Sequence, residues 1–156
     1  MKITARCGAG FTTVELVAVV IILGILGAFT LPHFLRRDAF DARGVHDSLV
    51  SALRYAQKKA IASNCPVQVQ IQAGGYSLKQ RPQPCGSGAF SEPVLDPSRN
   101  APFVSANLRG VTLSPATTIT FTASGATGAS DTTINVTGAG RTRSLTVIGA
   151  TGYVQD

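Results

Sequence analysis

Residues 11–31, FTTVELVAVVIILGILGAFTL, constrain this chain most, because from Leu16 to Leu31 no side chain is more polar than Thr30. A helix over 11–31 rises about 30 Å at ~1.5 Å per residue, the thickness of a bilayer's hydrocarbon core. What precedes the run decides its fate. MKITARCGAG is short and basic, without an acid or an apolar centre of its own. A secretory signal carries its small-residue cleavage site after an apolar stretch of ~7–15 residues. Here Gly8, Ala9 and Gly10 come before the apolar run, so cleavage after Gly10 would retain the helix. Lys2 and Arg6 predict that this flank stays cytoplasmic and that the chain beyond residue 31 is exported.

Glu15 is the exception within the run. A carboxylate costs ~2.5–3.5 kcal/mol at the bilayer centre and less towards the interface, so it calls for a partner. Cleavage at Gly10 would create one, the α-amino group of Phe11, in the same chain or in a neighbouring subunit. Pairing between subunits would reward parallel, staggered packing of the helices. The plainer reading is a single-pass anchor with an interfacial Glu.

The stretch GFTTVELVAVVIILGILGAFTLP resembles the class III signal of type IV pilins and type II secretion pseudopilins. Those families share Gly at the last leader position, an aromatic at the first mature position and Glu at the fifth, here Gly10, Phe11 and Glu15. The resemblance implies a leader over 1–10, cleavage by a prepilin peptidase and N-methylation of Phe11. It also implies a transmembrane helix over 11–31 in the bacterial inner membrane, with the remainder periplasmic or carried out on a pilus or pseudopilus. The implied partners are other pilins or pseudopilins, the membrane, an inner-membrane assembly platform and an assembly ATPase.

Pro32 ends the apolar run and removes one helical hydrogen bond, which predicts a kink. Beyond it, Val45, Leu49, Ala52, Leu53, Ala56 and Ala60 recur at helical spacing, with Asp47, Ser51, Arg54 and Lys58 opposite. The spacing predicts an amphipathic continuation over 32–64. It should end at Asn64, which tolerates a left-handed cap, just before Pro66. Arg36 and Arg37 read as solvated residues at the membrane exit.

From residue 65 the period changes to two. Val67, Val69 and Ile71 alternate with glutamines, and AGG turns the chain into YSLKQ, a hairpin. Residues 81–102 are rich in Pro, Gly and Ser and read as a long loop. Further strands are expected at 104–113, 117–123, 132–137 and 144–148, with ASGATGAS and TGAG as turns. Strands that follow a helix without βαβ alternation predict an α+β class. The expected architecture is a long N-terminal helix, half transmembrane and half amphipathic, packed on an antiparallel β domain over 65–156. VHDSLVSALRYAQKKAIASNCPVQVQI resembles secretion pseudopilin H and the fimbrial T-type minor pilins. The ending RTRSLTVIGATGYVQ is similar to minor pilins of the mannose-sensitive haemagglutinin pilus.

Of three cysteines, Cys7 lies in the leader; Cys65 and Cys85 fall in the exported part, where a disulfide is favoured over two buried thiols. Net charge is +6, and Lys2 and Arg6 contribute two of it, so the cleaved chain would carry +4, too modest an excess to imply nucleic acid. His33 and His46 lack a spaced acid and nucleophile, so no enzyme is expected and no catalytic residue is assigned. Two cysteines twenty residues apart make no zinc pattern, and the glycine clusters lack the setting of a phosphate loop; neither metal nor cofactor is expected. Asn135 heads a short glycosylation sequon. GAGRTR resembles the Gly-Arg-x-Arg motif by which fimbrial T-type minor pilins bind DNA during uptake. That resemblance makes Arg141 and Arg143 alternative DNA contacts, through salt-sensitive phosphate pairing. The competing reading is a hairpin turn whose arginines face water.

Overall fold

A computed structural model of the chain describes residues 12–34, 37–106 and 108–156, with side-chain surroundings given for 12–26 and from 42 onward. The chain divides into two compact units, residues 1–37 and 38–156, each described separately below.

The first unit contains helix α1, Thr13–Phe34. Thr12 caps it: its Oγ1 accepts a hydrogen bond from the Glu15 backbone N–H at 3.3 Å. Thr12 and Glu15 thus occupy the two positions of a capping box, and the acid also sits at the positive end of the helix dipole. Helical hydrogen bonding runs past Pro32 to Phe34. The large apolar side chains from Val14 to Leu26 are all exposed, between 43% and 77%. Among the described residues no helix is long and apolar enough to cross a membrane.

The second unit is built on α2, Arg37–Ser63. Leu49, Ala52, Leu53, Ala56 and Ala60 are fully buried and Val45 is half-buried, while Asp47, Ser51, Arg54 and Lys58 are exposed. The three alanines are small members of the buried core on this face. Asn64 takes the left-handed conformation at φ 52°, and the Cys65 N–H reaches back to the Ala60 carbonyl at 3.3 Å. This closes the helix as its sequence predicts.

The strands are β1 Val67–Gln72, β2 Gly75–Gln80, β3 Glu92–Pro93, β4 Leu95–Asp96, β5 Ala101–Pro102 and β6 Val104–Ala106. They continue as β7 Val111–Ser114, β8 Thr117–Phe121, β9 Thr132–Gly138, β10 Arg141–Val147 and β11 Val154–Gln155. One sheet runs β3-β2-β1-β8, with β6 also on β2; a second runs β11-β10-β9-β7; β4 and β5 form a small ribbon. Every pairing is antiparallel. The helix stripe and the inward residues of both main sheets form one core, with Phe121, Leu49, Leu53 and Ile71 among its largest members. The fold is α+β, a helix on antiparallel sheets.

Three expectations change. Residues 81–102 are not a plain loop: β3, β4 and β5 lie inside them, and Val94 is buried. The Val94 N–H donates to the Leu78 carbonyl at 3.0 Å and its carbonyl accepts from the Phe103 N–H at 2.7 Å, so tertiary pairing organises a segment of low strand propensity. The strand expected at 104–113 is two strands in different sheets, separated at Arg109 and Gly110, which have φ of 22° and 75°. The strand expected at 144–148 starts earlier, at Arg141. Its hairpin closes on Ala139 and Gly140 alone, at φ 51° and 71°, a type I′ geometry. Alanine is strained there, so Ala139→Asn should raise the urea midpoint, by about 0.5–1 kcal/mol of stability. An unchanged or lower midpoint would contradict this.

Candidate functional site

Gly10 and Phe11, the expected processing junction, lie outside the described residues. Glu15 stands in the first turn of α1. The T-x-x-E pattern from Thr12 to Glu15 is the sequence signal of this helix start. The backbone N–H of residue 15 thus takes part in starting the helix, through the Thr12 hydroxyl.

Cys65 and Cys85 are joined by a disulfide, with Cα atoms 5.6 Å apart. The bridge ties the end of α2 to the segment after β2. Around it, the Gln83 amide donates to the Cys65 sulfur at 3.3 Å. The Arg81 guanidinium lies 4.7 Å from the centre of the Phe90 ring and donates to the Gly86 carbonyl at 3.3 Å.

The polar face of α2 holds the C-terminal segment, which sequence reasoning missed. Arg54 donates to the Asp156 carboxylate at 2.9 Å and to the Val154 carbonyl at 3.3 Å. The Gln57 amide bridges the carbonyls of Gly125, at 3.1 Å, and Thr151, at 2.9 Å. Gly152, at φ 70°, has no room for a side chain, since a Cβ would strike the Gly125 carbonyl oxygen. The glycine in TGYV is therefore a packing requirement. Further along α2, the Ser48 and Tyr76 hydroxyls hydrogen-bond at 2.6 Å, and burial raises the pKa of the Tyr76 phenol. Tyr55 stacks on Phe103 and donates to the Leu95 carbonyl at 3.2 Å.

Arg141 and Arg143 are exposed, and they lie within β10 rather than in the turn. They share a sheet face with the buried Leu145 and Val147, as strand alternation requires. Arg143 stands in the cross-strand row Leu113–Val136–Arg143, and Arg141 in the row Val111–Gly138–Arg141. Both arginines thus extend the inward face beyond the end of the core. Arg109, two residues before Val111, is exposed as well. None of the three enters an ion pair among the described residues.

His46 is 5% exposed, with its Nδ1 3.2 Å from the Asp47 carboxylate. The side chain of His33 lies outside the described residues. Asn135 accepts a hydrogen bond from Ser144 at 3.0 Å within the β9–β10 pair. Among the described residues no three His, Cys, Asp or Glu side chains gather as a metal site.

A long helix laid along antiparallel sheets, with a disulfide at its end and its C-terminal strand held to its polar face, defines the class of pilin-like structural subunits. The family model for the type II transport protein GspH matches residues 46–152, and the chain belongs to that family. It is accordingly a structural subunit of the pilin and pseudopilin kind and not an enzyme. Solved structures agree in fold. The minor pseudopilin EpsH of the Vibrio cholerae type 2 secretion system aligns over 74% of this chain and 94% of its own, with 16% identity and a TM-score of 0.57. The type IV minor pilin FimU of Pseudomonas aeruginosa aligns in two crystal forms, with TM-scores of 0.52 and 0.51 and identities of 19% and 20%. Those alignments cover 72% and 81% of this chain and 90% of each FimU chain. No curated protein sequence matches significantly.

Proposed function

We propose that the chain is a minor pilin or pseudopilin made as a precursor, cut between Gly10 and Phe11, and held in the inner membrane by residues 11–31 until it enters a filament. One observation carries this reading: a domain of the GspH family over 46–152 follows an apolar segment headed by Gly10, Phe11 and Glu15. In this reading the β unit is periplasmic and then outward-facing, and the helices form the filament's interior. The exposed apolar side chains of α1 would be covered by lipid first and by neighbouring helices afterwards. A prepilin peptidase, an assembly platform with its ATPase, and other pilins or pseudopilins are the partners. The comparisons give no support to DNA uptake through Arg141 and Arg143, so the structural reading stands alone.

Mass spectrometry of the membrane-extracted protein tests the processing step. The expected N-terminus is Phe11, carrying one added methyl group. An intact Met1 terminus in cells with an active prepilin peptidase would overturn the reading.

A further inference from the structure

The second sheet has an open edge. In the two-residue β9–β10 hairpin, Gly138 and Arg141 form the closing hydrogen-bonded pair, so Arg141, Arg143 and Leu145 direct their backbone groups towards β9. Thr142 and Ser144 turn theirs the other way. On that side β11 pairs only with Thr146 and Val147, and no described residue pairs with the backbone of Thr142 or Ser144. All four residues from Arg141 to Ser144 are exposed.

Such an edge recruits any extended chain unless something guards it, and inward-facing charge is one known guard. Arg141 and Arg143 occupy that position, on the inner face and without an ion-pair partner among the described residues. A neutral or basic strand laid on this edge would set its side chains directly against two guanidiniums. A strand with carboxylates at alternate positions would place them opposite Arg141 and Arg143, where cross-strand pairs meet. Arg109, beside the same sheet end, adds to the positive field.

We propose that the β10 edge from Arg141 to Leu145 is a charge-gated strand-addition site for an extended, acidic segment of another protein. Backbone hydrogen bonds to Thr142 and Ser144 would hold the segment and the two arginines would select it, a division usual for strand addition. The inference concerns the β unit alone and does not depend on where α1 resides.

The test uses the full chain in detergent micelles and a fluorescein-labelled peptide of alternating Asp and Thr residues, followed by fluorescence anisotropy and amide hydrogen exchange. The acidic peptide should bind and slow exchange at Thr142 and Ser144. Lys in place of Asp should weaken binding by at least about 10-fold, and R141Q with R143Q should weaken the acidic peptide by about the same factor. Backbone N-methylation at alternate peptide residues should abolish binding. Four outcomes overturn the proposal: no binding of the acidic peptide, equal binding of the N-methylated peptide, no protection at Thr142 and Ser144, or protection there in the absence of peptide. The last would mean that a second copy of this chain occupies the edge. A DNA oligonucleotide that competes fully while leaving both amides unprotected would likewise reassign the arginines to general polyanion binding.

Discussion

Replacing Cys65 and Cys85 together by serine should lower the unfolding free energy of the β unit by about 3 kcal/mol, the loop-closure value for a bridge spanning 20 residues. That is more than a hundredfold in the folding constant, at ~1.4 kcal/mol per tenfold. The enclosed segment explains why little else would compensate. It contains all of β1 and β2, but from Arg81 to Ser91 no side chain joins the core, and Val94 is the next to be buried. Without the bridge, the segment after β2 would rely on the Arg81–Phe90 contact and an exposed Arg81–Gly86 hydrogen bond, neither of which reaches α2. The measurement is urea unfolding followed by circular dichroism, comparing the double variant with the parent chain, oxidised and reduced. The reduced parent should approach the double variant. Equal midpoints for all three would show that the bridge contributes nothing.

What the sequence discloses follows from how local each determinant is. The stripe from Val45 to Ala60, the Asn64–Pro66 stop and the alternation of Val67, Val69 and Ile71 are encoded within a few residues, and the structure contains each of them. The failures are non-local. Short strands β3 to β5 exist because Val94 finds partners on Leu78 and Phe103, and nothing in a Pro- and Gly-rich stretch announces that. The division between β6 and β7 turns on Arg109, a left-handed residue whose side chain gives no warning of it. Among site residues, the cysteines were legible because compartment and pairing both constrain them. Arg141 and Arg143 were misplaced by the assumption that TGAG and the following arginines form one turn. A two-residue hairpin uses only Ala139 and Gly140, and this moves both arginines onto the inward face of an edge strand.

The second large effect is expected at Glu15, where its capping position supplies the control. Glu15→Gln preserves side-chain size and the helix-starting role of the third helical position, since glutamine serves in a capping box as glutamate does. It removes only the charge. If Glu15 pairs with the Phe11 amine of a neighbouring subunit inside an apolar helix bundle, this change leaves that amine unpaired. Breaking such a buried pair costs about 3–5 kcal/mol per contact, enough to stop incorporation into a filament. E15Q should therefore be cleaved at Gly10, be present in the inner membrane at parental levels, and be missing from sheared filaments or pseudopili on immunoblot. T12A should lose the cap instead, since the Thr12 hydroxyl is what accepts from the residue-15 backbone N–H, with reduced helicity in detergent by circular dichroism, where E15Q matches the parent. Filaments containing E15Q at parental levels would restrict Glu15 to starting its own helix, because an interaction between subunits that needs the charge cannot survive its removal.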